Sequence, residues 1–195
     1  MILSDVDIKK AIEERKIIID PLPEETQYQS SSLDLRINGE FKEYDPEILK
    51  QQAIEVTLDF SQLHFPKLKK FFRDLKAEND GSIIIKPDTF ILAQTYERLT
   101  LPLESQLAAR IEGRSSGARL GLVVHLSAPT IHAGFTGKIT LELINHGDFL
   151  IRLFPKKDTI CQLVFEQVLS KPSRAILSQF QGQTTVMGNS PPNHT

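Results

Sequence analysis

Apolar residues recur along this chain in two rhythms, and the changes of rhythm locate its elements. Ser4 followed three positions later by Asp7 predicts a helix N-terminus, and Ile8, Ala11 and Ile12 then share one face before Arg15-Lys16 closes the segment. Ile17-Ile18-Ile19 reads as a buried strand that Asp20-Pro21-Leu22-Pro23 ends, because proline offers no donor to a ladder. Leu33-Asp34-Leu35-Arg36-Ile37 alternates with the period of a strand, and Asn38-Gly39 predicts the turn after it. From 46 to 80 the pattern becomes helical or irregular, as expected of an insertion on a β scaffold. Within it, the basic residues of 67–73 interleave with Leu68, Phe71, Phe72 and Leu75, predicting an amphipathic helix with a solvated face. Asn79-Asp80-Gly81 ends the insertion, and Ile83-Ile84-Ile85 resumes strand character. Short strands with turn signals between them follow at 89–96, 106–112, 121–126, 137–144, 150–153 and 160–168.

That run of strands, without helical patterns between them, predicts a mostly β fold: a distorted barrel or sandwich of short antiparallel strands with a few short helices. No Gly/Ser linker divides the 195 residues, so a single domain over 1–195 is expected. The end of the chain, from about 178, finishes in Gly188-Asn189-Ser190-Pro191-Pro192-Asn193, the composition of a mobile terminus whose order must come from a ligand or a neighbour. With 40% hydrophobic and 25% charged residues the chain is expected to fold. No apolar run is long enough to cross a bilayer and Met1-Ile2-Leu3-Ser4-Asp5 lacks a secretory pattern, so a cytoplasmic location and no membrane partner are expected. A net charge of -2, from 23 basic and 25 acidic residues, gives no broad footprint for nucleic acid and leaves room only for a small anion bound locally. The single cysteine, Cys161, lies in an apolar run, which excludes a disulfide framework and predicts a buried thiol.

Three stretches carry candidate chemistry. Arg110 to Gly121 packs three arginines, two serines and three glycines after a strand. Backbone donors, hydroxyls and guanidinium groups together suit phosphate, although a solvated turn with a glycine hinge has the same composition. In 137–145 the parity places Thr140, Glu142 and Ile144 on one face, opposite Ile139, Leu141 and Leu143. Glu142 then either faces solvent or lines a cleft, where partial burial raises a carboxyl toward the range of a general base. Between these, Pro129 and Gly134 mark an irregular loop whose carbonyls suit a ligand. Its two histidines, His125 and His132, lack the cysteine or carboxylate companions of a metal site, so no metal is expected there.

Arg114-Ser115-Ser116-Gly117-Ala118-Arg119-Leu120-Gly121 followed by Ile139-Thr140-Leu141-Glu142 resembles the dCTP deaminase branch of the dUTPase-like superfamily. The opening Met1-Ile2-Leu3-Ser4-Asp5 with Ile8, the segment Ser31-Ser32-Leu33-Asp34-Leu35-Arg36 and the late Phe180-Gln181-Gly182-Gln183 resemble further family signatures in the same order, and 46–80 is the least matched part. The resemblance implies a dUTPase-like homotrimer with each active site between subunits, closed by a C-terminal segment, in which dCTP is hydrolysed to dUTP and ammonia to feed dUMP and dTTP synthesis. It implies that Glu142 is the catalytic carboxylate, with Ser115, Arg119 and the carbonyl of Ala128 assisting. It places phosphate at Arg114, Ser115 and Ser116, followed by Gly117 and Ala118, and base and sugar at Thr140 and Leu141. Gln162 and Gln183 fall on nucleotide contacts. Magnesium would arrive with the triphosphate, and dTTP would inhibit as it does in relatives. One cysteine and no Cys-x-x-Cys is not the ligand set of zinc deaminases, so a carboxylate is expected to activate the water.

Some positions depart from the family pattern. His132 stands where many members, and all hydrolytic dUTPases, carry the aspartate that activates water for phosphate cleavage, which counts against dUTP hydrolysis or a bifunctional dUMP-forming activity. Gln179 stands where many have a lysine against the phosphates, and 173–177 contains no tyrosine. The alternatives are therefore a dUTP diphosphatase or a bifunctional dUMP-forming enzyme, and a non-catalytic trimer that binds nucleotide.

Overall fold

Ser4 caps the first helix as its spacing predicts. Its hydroxyl accepts from the Asp7 N–H at 3.3 Å, and the Asp7 carboxylate accepts from the Ser4 N–H at 3.2 Å, closing a reciprocal box around α1 (Asp5–Glu13). Ile8 and Ala11 on its inner face are buried in the core. The computed structural model describes residues 1–51, 65–174, 178 and 180–188.

The strands begin with β1 (Ile18–Asp20), β2 (Tyr28–Gln29) and β3 (Ser32–Tyr44). The helix α2 (Pro46–Gln51) and a 3-10 helix (Phe65–Phe71) lead to β4 (Phe72–Asp74) and β5 (Ile83–Ile85). The long β6 (Phe90–Thr100) and β7 (Leu107–Gly113) precede a one-turn helix, α3 (Ser115–Ala118). After it come β8 (Leu122–Val123), β9 (Thr130–Ile131), β10 (Thr136–Asn145), β11 (Ile151–Leu153) and β12 (Thr159–Gln167). Ten of these strands form one curled antiparallel sheet along the path β8-β10-β6-β3-β12-β7-β9, with β1, β2 and β4 added at its edges, while β11 and β5 pair separately. The mostly β, antiparallel expectation holds.

The curl originates in β3. Its first half pairs with β12 (Asp34↔Gln162) and its second half with β6 (Phe41↔Ala93), so one strand serves both halves of the sheet. Asn38-Gly39, expected to turn the chain back, lies inside β3 at a register shift between Ile37↔Thr95 and Phe41↔Ala93. Buried Phe41 explains the difference: continuing the strand carries its ring into the core, whereas a turn at 38–39 would leave it in water.

The helix expected over 67–73 is also corrected. Phe65–Phe71 is 3-10, and Phe72–Asp74 pairs with β3, where Arg73 binds Glu43 at 2.7 Å and Lys42 binds Asp74 at 2.6 Å across the strands. An open strand edge rewards such cross-strand pairs, and local helical spacing cannot compete with them. The rest of the 46–80 insertion, 52–64, lies outside the described residues.

The tail is docked over 180–188. Gly182 N–H donates to Thr136 O at 2.7 Å, Lys138 N–H donates to Gln183 O at 3.1 Å, and Val186 and Met187 bury themselves against Leu92. Cys161 is buried as expected, and burial pushes its thiol up.

Candidate active site

Strand β10 divides its residues between two environments. Ile139, Leu141 and Leu143 enter the core, the last two fully buried, so parity turns Thr140 and Glu142 to the opposite face. That face lines a cavity of about 480 Å³. The 124–135 loop forms a second wall, held by Ile111 N–H to Pro129 O at 2.9 Å and by the pairing of β9 with β7, a strand that the sequence pattern did not reveal. The docked tail supplies a third wall through Phe180, Gln181 and Gln183.

Glu142 is half-buried there, and the Leu126 N–H approaches its Oε2 at 3.4 Å. Burial holds its carboxyl above the usual range, outweighing the opposing pull of that N–H and of nearby His125. Around it, several polar atoms have no hydrogen-bond partner among the described residues: Thr140 Oγ1, His125 Nδ1 and Gln183 Oε1, all buried and all belonging to residues that line the cavity. Directly across from Thr140 in β6, Gln94 is fully inaccessible and neither end of its amide is paired among the described residues. Leaving a polar group buried and unpaired costs about 1–3 kcal/mol, so a face carrying several is built to bind a polar ligand.

Of the residues singled out from sequence, Ala128, His132, Thr140, Glu142 and Gln183 line this cavity. Arg114, Ser115, Ser116, Gly117, Ala118 and Arg119 do not, and Leu141 points its side chain into the core. Ser115 and Ser116 begin α3, and Arg119 follows it, all three exposed on the surface. Gly121, at φ +86°, presses against Gly147: a Cβ there would stand 2.3 Å from the Gly147 nitrogen. Only glycine permits that approach, which joins the α3 turn to the end of β10. Gln162 has both ends of its amide engaged, accepting from Ser32 Oγ at 2.7 Å and donating to Gly113 O at 3.3 Å. Gln179 lies outside the described residues.

Sequence reasoning missed Gln94, Gln181 and an aromatic floor in which Tyr44 stacks on Phe72 and Phe90, with centroids 4.6 and 5.4 Å apart. Nothing local marks Gln94, since a glutamine within an apolar strand is no motif; only the register opposite Thr140 identifies it. Among the described residues, no group of three or more His, Cys, Asp or Glu side chains stands close enough to hold a metal ion, and no helix is long and apolar enough to cross a membrane.

A family model described as dCTP deaminase-like matches residues 2–168. The chain is 39% identical over 188 residues to a "dCTP deaminase, dUMP-forming" of Methanosphaera stadtmanae, covering 94% of this chain and 90% of that relative. It is 42% identical over 178 residues to the protein of the same name in Methanothermobacter thermautotrophicus, covering 89% and 82%. Among solved structures, the 2'-deoxycytidine 5'-triphosphate deaminase from Agrobacterium tumefaciens shares the fold, with a TM-score of 0.59 at 22% identity over 84% of this chain, which spans 47% of that longer one.

Proposed function

The chain belongs to the dCTP deaminase-like family, and from that premise we propose that it hydrolyses the amino group from the cytosine ring of dCTP with Glu142 as general base. The carrying observation is that carboxylate, half-buried in a cavity onto which Thr140 Oγ1, His125 Nδ1 and Gln183 Oε1 bring buried atoms with no partner among the described residues, and raised by burial toward the range where it both takes and returns a proton. Glu142 takes a proton from water as the oxygen attacks the ring carbon bearing the amino group and passes it to the ring nitrogen; it then carries the remaining hydroxyl proton to the amine, so that the carbon–nitrogen bond breaks, ammonia departs and the ring carbonyl forms. The Ala128 carbonyl, on the cavity wall, would hold the water, and the unpaired Thr140 and Gln183 atoms suit the base and sugar. The nucleotide is taken as its magnesium complex.

Ser115 and Arg119 belong to this mechanism as the groups that fix the water and stabilise charge on the ring, yet they lie outside their own chain's cavity. Their exposure, on α3 and directly after it, supports a site completed by a second copy, hence a homotrimer with active sites between subunits. Inhibition by dTTP fits the same cavity, since a pyrimidine triphosphate without the 4-amino group binds and offers nothing to remove.

The end product belongs to a finer reading. Sequence led to dUTP, because His132 replaces an aspartate, but the relatives at 39% and 42% identity are named dUMP-forming. Their names favour a second hydrolysis, to dUMP and pyrophosphate, at the site where His132 lines the cavity. Incubation with magnesium and dCTP, with ammonia and pyrophosphate measured separately, tests both steps. Equimolar release of the two is expected. Ammonia alone would restore dUTP as the product, and neither would leave a nucleotide-binding module.

A further inference from the structure

Beneath the turn that carries Arg114 lies a cluster of polar side chains around the buried Asp34 and Ser32 that the catalytic reading leaves unused. Asp34, on β3, is 3% exposed, and its Oδ2 stands 3.4 Å from the Arg114 guanidinium and 3.2 Å from the Gln29 amide nitrogen that donates to it. Its other oxygen, Oδ1, is buried with no partner among the described residues. Beside it in register, Gln162 accepts from Ser32 and donates to the Gly113 carbonyl, so the backbone immediately before Arg114 is held from the same side. A carboxylate placed inside a sheet at the expense of its hydration, with one oxygen left over, is not explained by stability. Among the described residues its only cationic contact is an arginine whose side chain remains 41% exposed at the start of α3.

We infer that Asp34 is a positioning residue for the substrate's polyphosphate: it holds one edge of the Arg114 guanidinium from within the sheet, so that the rest of the fork is presented to the anion. This rests on the deaminase reading for the identity of the anion, not for the geometry. A planar guanidinium grips phosphate through two parallel N–H bonds only when its plane is fixed, and a long exposed arginine otherwise samples many rotamers. Ser32 and Gln162 complete the device by fixing the backbone from which that side chain departs.

The test is titration of the full-length protein with inorganic tripolyphosphate by calorimetry, together with kinetics on dCTP and dCMP. Asp34→Asn is expected to weaken tripolyphosphate about tenfold, the worth of one hydrogen bond to a charged group. KM for dCTP should rise by a similar factor with kcat little changed, and KM for dCMP should move much less. On an Arg114→Ala background, Asp34→Asn should add nothing. Arg114→Lys keeps the charge and leaves the buried side chains alone, and it should lose as much as Asp34→Asn; it decides the matter if the aspartate variant misfolds. Unchanged or tighter tripolyphosphate binding in Asp34→Asn, equal losses on dCTP and dCMP, or full affinity in Arg114→Lys would each overturn the inference. Absence of ammonia from dCTP with the wild-type protein would instead overturn the proposed function, and the tripolyphosphate arm would still decide the role of Asp34.

Discussion

Glu142 carries opposite demands from folding and from chemistry, and its carboxyl shows which prevails. Burial raises it, because a half-buried site penalises the charged form of the carboxyl. The folded state therefore binds the proton more tightly than the unfolded chain, and stability falls as pH rises from the ordinary carboxyl range through the elevated folded value. Glu142→Gln removes that cost: its melting temperature should exceed wild type near neutral pH, with the gap closing in acid below the ordinary carboxyl range. Deamination by the same variant should fall by about 10²–10⁴-fold, the usual worth of a general acid/base. In the wild-type enzyme the base must be ionised, so kcat/KM should decline as pH falls through the elevated value, placing the acid limb above the usual carboxylate range. A limb at an ordinary carboxylate position would remove Glu142 from the role of base.

At the scale of elements, β10 connects the core to the site, and either face can be disturbed alone. Leu141→Ala opens a cavity behind the strand and should cost about 2–5 kcal/mol in denaturant unfolding, lowering activity only as far as it lowers the folded fraction. Gly137 acts on the other side. At φ +147° it suits glycine, and a Cβ there would meet the Gln183 backbone nitrogen at 3.2 Å. Gly137→Ala should release the docked tail, read as loss of amide-exchange protection over 180–188 while β10 and β6 keep theirs. Full protection of the tail in that variant would mean that its anchorage lies in Val186 and Met187 rather than in the ladder beside Gly137. The C-terminal composition showed none of this, because Gln, Gly and Thr reveal docking only through the strand that receives them. The Ser4–Asp7 cap, by contrast, is closed within four residues and was legible at once.

For the whole molecule, the proposed site needs surfaces from two copies, and mixing inactive variants addresses that directly. Glu142→Gln and Arg119→Ala should each be inactive alone. Combined after dissociation and reassociation, they should recover roughly a quarter of the wild-type rate, as random assortment into a ring of sites between subunits requires. No recovery would confine both residues to one chain and break the composite reading. The candidate site was read from two contiguous motifs, residues 114–121 and 139–142, whose membership in one family the matching relatives bear out. Which parts of those motifs meet could not be read there, since Glu142 lines the cavity of its own chain and Arg119 does not.

The sequence alone determined what local physics determines: the capped helix, the strands of period two, the parity that sends Leu141 inward and Glu142 outward, and the single buried cysteine. Tertiary structure decided what depends on a partner distant along the chain. It ran β3 straight through Asn38-Gly39 to bury Phe41, made a strand of residues 72–74 against an open edge, and set Gln94 opposite Thr140. It also placed Asp34 beneath Arg114. Side-chain period is a property of a segment, whereas register and burial belong to pairs of segments, and pairing energies between strands exceed the small local preferences that a single stretch of sequence expresses.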